Sequence, residues 1–478
     1  MLRRIFAAAS VGTLMACTAI AAPAPTPAPA PAPAPASGET AFRDLYKELV
    51  ETNTTLSAGD CTLAATRLAA RLKSAGYPEA DVRVWTVPDH PKEGGLFARL
   101  NGTDAKAKPV LMLGHIDVVE AKREDWTRDP FKLIEEDGYF YGRGTYDDKA
   151  MAAVWVDTLI RYRQENYIPK RTIKLALTCG EETNGAFNGA EHLAKNEREL
   201  INAEFAINEG GGGQMDAAGK PIFMGIQVGE KLSQNYTLEV TNPGGHSSRP
   251  MPDNAINQLA FGLTRIAQYK FPITFNDTTR AFLTQMATLK GGEDGKAMLA
   301  LIANPNDKTA EARLEADPDY NRILHTTCIA TMLDAGHATN ALPQRAKANV
   351  NCRIFPGTTA NDVRQQLETL VADPAIKVSI RETRNLPAPP PPLDPKVLDP
   401  AVKLATTMFP GVPNLMIMQA GATDGAFLTP IGIPTYGISG MFVDSDGNGI
   451  HGLNERIKVK TLMDGRQYLY RLMKVYGG

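Results

Sequence analysis

The residues best suited to chemistry in this chain recur at the ends of apolar, strand-like runs. The run LMLGHIDVV delivers His115 and Asp117, two positions apart and therefore on one face of a strand. An imidazole beside a carboxylate suits a metal ligand whose neighbour fixes its tautomer and orientation. Downstream, the turn Gly142-Arg143-Gly144 precedes Asp147 and Asp148 and a helical stretch, MAAVWVDTLIRY. Its glycines free the backbone to bring a carboxylate toward the strand end. The apolar run IKLALT leads to the paired carboxylates Glu181 and Glu182, and AEFAINEGGGG places Glu209 before four glycines. Any one of these acids alone reads as a solvated loop residue. Their recurrence along one sheet edge points to a shared site.

The elements that must position these groups alternate between strands and helices. This is the signature of an α/β layer with a mostly parallel central sheet, whose ligand side lies at the carboxyl ends of the strands. Two helices come first, over residues 41–50 and 60–76, the second opening at the N-cap residue Asp60. Residues 230–380 change character. A strand (KLSQNYTLEV), a helix over 255–268, two strands around Asn340, a helix over 361–371 and the strand KVSIRETR describe a small α+β module of the ferredoxin-like kind. The stretch 271–322 is polar and helical without a legible order. PAPPPPLDP leads back as a stiff linker. The division expected is a catalytic domain over 41–229 and 386–478, interrupted by a lid or dimerisation domain over 230–385.

With 478 residues, 43% of them hydrophobic, and a net charge of −2, the chain is long enough for two cores and carries no basic excess for nucleic acid. Arg3 and Arg4, an apolar stretch and Ala19-Ile20-Ala21 predict a cleaved signal peptide over 1–21, too short to be a permanent membrane span. Residues 22–40 form a Pro/Ala-rich linker. Leu14-Met15-Ala16-Cys17 also fits a lipoprotein processing site; simple cleavage is favoured. Export to the periplasm or cell envelope follows, with secretion or lipid anchoring through Cys17 as alternatives. Cys61, Cys179, Cys328 and Cys352 then remain, too few for a disulfide scaffold and without zinc-ribbon spacing. Cys328 and Cys352 are equidistant from Asn340, which would set them opposite in a hairpin where a bridge could form. They are read here as two unlinked buried thiols.

HID, GRGTYDDKA, GEE, NEG, GGHSSRP, NALPQRAKANVNCRI, GATDG and HGLNE, in this order over residues 41–478, resemble metallopeptidase family twenty. That family holds carboxypeptidases, dipeptidases, aminoacylases, acetylornithine deacetylase and succinyl-diaminopimelate desuccinylase. The stretch from Thr326 to Thr359 is similar to the branch of carboxypeptidase S and the secreted N-fatty-acyl-amino-acid hydrolases. The resemblance implies a di-zinc exopeptidase-type catalytic domain, with manganese or cobalt as substitute ions. His115, Asp147 and Glu209 would hold one zinc, and Asp147, Glu182 and His451 the other, so that Asp147 bridges them. Asp117 would orient His115. Glu181 would take the proton of a metal-bridging water and pass it to the leaving nitrogen. His246 would stabilise the oxyanion, from a partner subunit in dimeric members. Arg353 would clamp a substrate carboxylate, and Asn340 with the backbone of residues 421–424, Gly421 to Asp424, would line the same pocket. Ala150 stands where many members carry glycine.

These residues predict hydrolysis of an amide bond beside a free α-carboxylate, in a small peptide or an N-acyl amino acid. A non-catalytic envelope binding protein on the same fold is the alternative from another class, and it should lack Glu181 or a ligand. The absence of a G-x-S-x-G elbow around GGHSS argues against a serine hydrolase. DSDGNGIHGLNE matches a calcium-loop pattern but has no amphipathic helix before it. His90, His192, His325 and His337 show no ligand spacing and are read as structural or solvent-facing.

Overall fold

The structure is a computed structural model that describes residues 38–183, 187–381 and 389–478. The expected signal peptide, Cys17, nearly all of the Pro/Ala-rich linker and the start of the PAPPPPLDP segment lie outside the described residues.

Helix Glu39–Val50 turns Phe42, Leu45, Tyr46, Leu49 and Val50 inward, a spacing that makes one apolar stripe. Helix Cys61–Ser74 opens as expected at Asp60, whose carboxylate accepts from the Leu63 amide at 2.7 Å. Both pack on a ten-stranded sheet that is parallel through its centre. Strand Val110–His115 lies between strands Ile173–Thr178 and Phe205–Asn208, parallel to both. The antiparallel hairpin of Val82–Val87 and His90–Leu100 forms one edge. Every residue of Val110–His115 and Ile173–Thr178 is buried, which is why both read as continuous apolar runs. Helix Lys149–Gln164 is buried almost all round and is tied to the last helix, Val459–Gly477, by a two-pronged contact of Arg466 with Asp157 at 2.8 and 3.1 Å. Each fully buried Leu or Phe in these layers contributes about 1.5–3 kcal/mol.

The four-stranded sheet runs Thr327–Ala335, Arg345–Ile354, Leu232–Thr241, Lys377–Arg381, antiparallel throughout. With helices Ala255–Gln268 and Ala360–Val371 on one face, this is the ferredoxin-like order read from the sequence. Asn254 and Thr359 cap the two helices with their side chains. The stretch without legible order holds four short helices, Asp277–Lys290, Gly292–Ala303, Lys308–Glu315 and Pro318–Leu324. They bury Leu283, Met298, Leu301 and Leu324 against Leu415 of the central sheet.

The cysteines correct the reading of free thiols. Cys328 and Cys352 are direct cross-strand partners with Cα atoms 4.1 Å apart, and they form a disulfide. Opposite positions in an antiparallel ladder bring side chains close enough to bond. Cys61 is bridged to Cys179 across 118 residues, tying the start of the second helix to the strand end that precedes Glu181. Among the described residues no helix is long and apolar enough to cross a membrane.

Candidate metal centre

His115 closes its strand with the imidazole buried. Its Nδ1 lies 3.1 Å from the Asp117 carbonyl oxygen and 3.5 Å from the Asp117 carboxylate. A carbonyl only accepts, so Nδ1 carries a hydrogen, and Nε2 is the ring nitrogen left for a proton or a metal ion. That Nε2 faces Asp147 Oδ1 at 3.1 Å and Glu209 Oε2 at 3.6 Å. His451 approaches from the other side. Its Nε2 lies 2.8 Å from Glu182 Oε2 and 3.1 Å from Asp147 Oδ2. The two oxygens of Asp147 thus face two different imidazoles. His115, Asp147 and Glu209 form one group whose donor atoms lie within 4.8 Å of one another, and Asp147, Glu182 and His451 form a second.

The electrostatics follow from this crowding. Burial, then the neighbouring Glu209, pushes the Glu181 carboxyl well above its usual range. Burial raises Glu182 likewise and pushes Glu209 up to about 7. For Asp147, burial is outweighed by hydrogen bonds with His115 and His451, which hold it below the carboxylate range. His451 is pushed up to about 10, first by its hydrogen bonds to Asp147 and Glu182. Acceptors packed this closely require positive charge among them, from protons or from cations. Two imidazoles among carboxylates, with no thiolate, form a borderline donor set that fits a pair of divalent ions.

The loops that carry these ligands are themselves held. Gly180, at φ +95°, turns the chain into Glu181, and a Cβ there would fall 2.0 Å from the Phe187 carbonyl oxygen. The Asp117 carboxylate accepts from the amides of Glu181 and Glu182 at 3.3 and 3.0 Å, so it braces the glutamates besides facing His115. Glu455, buried, accepts from Arg143 at 2.8 Å and from the amides of Gly144, Tyr146 and Asp147 at 2.9, 2.8 and 3.1 Å. It locks the Asp147 turn to the His451 loop. The sequence reading missed this role, although Glu455 closes the HGLNE motif. Its engagement there also removes the last ligand of the calcium-loop pattern. The carboxylate of Asp446 in that loop meets Arg456 instead, at 2.7 Å.

One cavity joins Glu181, Glu182, His451 and Gly421 to Ser233, Asn235, Arg353 and Arg381 of the four-stranded sheet. Ser233 pairs with Arg353 and Asn235 with Arg381 in the ladders, which puts both guanidinium residues beside the metal-binding loops. Burial lowers the Arg353 pKa, and Arg353 has no ion pair among the described residues. Arg381 was not singled out from the sequence, where only its position at a strand end could have marked it. Asp424 lines the cavity but is buried, with its carboxylate accepting from Thr178 and Asn188 at 2.5 and 2.8 Å. His246 and Asn340 are not brought to this cavity. His246 is exposed, lies in a separate depression with Met251 and Leu342, and has its Nδ1 2.8 Å from Ser248 Oγ. Asn340 is exposed, and its carbonyl oxygen accepts from the Ser247 amide at 3.0 Å.

Comparison with known proteins agrees with this geometry. The model of peptidase family M20/M25/M40 matches residues 111–475. A Homo sapiens N-fatty-acyl-amino acid synthase/hydrolase is 32% identical over 387 residues, covering 78% of this chain and 75% of its own. A probable carboxypeptidase S-like protein of Dictyostelium discoideum is 28% identical over 390 residues, covering 78% and 72%. Among solved structures, an M20 family metallo-carboxypeptidase of Sulfolobus solfataricus superposes with a TM-score of 0.68 at 19% identity, over 91% of this chain and 99% of that one. A Bacillus subtilis protein described as a dinuclear metal-binding peptidase of the M20 family gives a TM-score of 0.56 at 14% identity, over 91% and 98%.

Proposed function

The chain belongs to peptidase family M20/M25/M40, and from that premise we propose that it is an exported di-zinc hydrolase of amide bonds next to a free α-carboxylate. The family makes it a metal-dependent hydrolase of peptide or amide bonds. The observation that carries the finer reading is the split of Asp147, one oxygen toward His115 and the other toward His451. A carboxylate so placed could serve two ions, which His115 and Glu209 would hold on one side and Glu182 and His451 on the other. Bound there, the ions would supply Lewis acidity and acidify a water. Zinc suits the two imidazoles, with manganese or cobalt as substitutes.

The protein's own groups do the rest. Glu181, raised in pKa and facing the same cavity, takes a proton from the attacking water and returns it to the leaving nitrogen. Arg353, at the cavity wall and without an ion pair among the described residues, clamps the substrate carboxylate in its planar fork. His246 serves the oxyanion from a second copy of the chain, since its own cavity lies elsewhere. The strand Thr327–Ala335 supports such a dimer: it is a sheet edge with Ile329, Met332 and Leu333 65%, 64% and 65% exposed. Two disulfides support export to an oxidising compartment.

A second reading, N-acyl-amino-acid deacylase, is favoured by one feature. A pocket beside Glu209 and Thr423 is walled by Leu232, Phe355, Pro356 and Pro390, suited to an apolar acyl group. Both readings are tested by assaying dipeptides against N-acyl amino acids, with and without a chelator. Activity that survives complete removal of metal would overturn the mechanism, and the better substrate class decides between the readings.

A further inference from the structure

Away from the Asp147 centre, one more group of metal-ligating side chains converges. Glu311 and Glu315 stand one turn apart on helix Lys308–Glu315, and His325 lies just before strand Thr327–Ala335. Their donor atoms lie within 4.8 Å of one another. His325 is 3% exposed and Glu311 8%.

The hydrogen bonding of His325 fixes its tautomer. Its Nδ1 lies 2.6 Å from the carbonyl oxygen of Phe271, which can only accept. The hydrogen is therefore on Nδ1, and Nε2 presents a lone pair. Among the described residues this buried Nε2 has no hydrogen-bond partner, and neither has Oε1 of Glu315, although the two atoms are 3.0 Å apart. Two atoms so placed call for positive charge between them, and a metal cation accounts for the missing hydrogen-bond geometry. Two ligands on one tetrahedral zinc, with bonds of about 2.0–2.1 Å, stand about 3.3 Å apart. The other oxygen of Glu315 meets Lys270, and Glu311 meets Lys308 at 2.5 Å, contacts of the kind that orient ligating carboxylates.

We propose that Glu311, Glu315 and His325 form a structural binding site for one zinc-class divalent cation, separate from the catalytic centre. An imidazole among carboxylates selects a borderline ion over calcium. Its position gives it a task. Phe271 and His325 mark the two ends of the helical insert, where the Thr274 amide also donates to the Leu324 carbonyl at 3.1 Å. Lys231, at the passage from the central to the four-stranded sheet, donates to the carbonyls of Arg322 and His325. An ion on His325 and the two glutamates fastens the neck of the insert to its third helix.

The competing occupant is a proton, which would make His325 an imidazolium paired with Glu315. The test strips metal from the full-length protein, restores it with excess Zn2+, removes unbound ion and counts zinc per chain. Wild type, His325→Gln and Glu311→Gln are compared. Each variant should hold one zinc fewer than wild type, a difference that does not depend on how many ions the Asp147 centre takes. Equal zinc in wild type and the variants overturns the proposal in favour of the proton. Glu311→Gln leaves the contact of His325 with Phe271 in place, so its count decides the matter if His325→Gln does not fold.

Discussion

The two walls of the Glu181 cavity are built differently. On the central-sheet side, every expected ligand sits on a strand end or on a loop clamped by a buried acid, with Asp117 holding the glutamate amides and Glu455 holding the Asp147 turn. On the four-stranded side, Arg353 has no ion-pair partner among the described residues, His246 lies in a different depression, and Asn340 is exposed outside the cavity. The proposed metal-binding half is preorganised within one chain, whereas the groups proposed to bind substrate are not drawn together among the described residues. Ligand geometry tolerates little slack, so it is built into the most rigid layer. Recognition can be completed on binding or on pairing of two copies.

Substitutions in each half should separate accordingly. The largest effect is expected from His451→Ala, which removes a nitrogen facing both Asp147 and Glu182: metal content measured by elemental analysis should drop and turnover with it to background. Glu181→Ala should keep full metal yet lose roughly 10^2–10^4-fold in kcat, and a variant still active would remove Glu181 from the proton transfer. In the other half, His246→Ala should lower kcat roughly 10^2–10^3-fold without metal loss. If His246 acts across a dimer, mixing it with inactive Glu181→Ala should restore activity in heterodimers. No recovery would confine His246 to its own chain. Arg353→Ala should raise KM by roughly tenfold to a hundredfold with a smaller change in kcat. An unchanged KM would show that another group, with Arg381 the obvious one, holds the carboxylate.

The same contrast governs what the sequence could reveal. Strands buried on both faces read as apolar runs whose polar ends stand out, so His115, Glu181, Glu182 and Glu209 are legible together, through their recurrence, and not one by one. His451 was visible only through the HGLNE motif, because its position depends on a loop with His451 itself at φ +58°. The α+β module was legible because capped helices and alternating strands carry local signals. The four helices of the insert are not, since their apolar residues pack on one another and on Leu415, distant in sequence. The pairing of Cys61 with Cys179 has no local signal at all, and neither has the meeting of Glu455 with Arg143. Each is a contact between segments that only the closed sheet brings together.

The smallest expected effect lies where the two walls join. Glu230 ends the strand Pro221–Glu230, just before the first strand of the four-stranded sheet, and accepts from the amide and hydroxyl of Thr423 at 3.0 and 2.9 Å. Its other oxygen, Oε1, is buried without a hydrogen-bond partner among the described residues. Burial, offset by the Thr423 hydroxyl and reinforced by Glu209, pushes its carboxyl from 4.5 up to about 8. The folded chain therefore keeps a proton that the unfolded chain releases near 4.5. The contribution to stability is complete below that pH and is lost as pH rises toward about 8. Glu230→Gln mimics the protonated form at every pH. The variant should match wild type at pH 4 and exceed it by roughly 1–3 kcal/mol at pH 8, the shift being discounted because part of the residue reaches solvent. Denaturant melts at the two pH values measure the gap. A gap that does not widen would mean that Glu230 is ionised in the fold, and that the junction between the walls carries one more negative charge facing the metal centre.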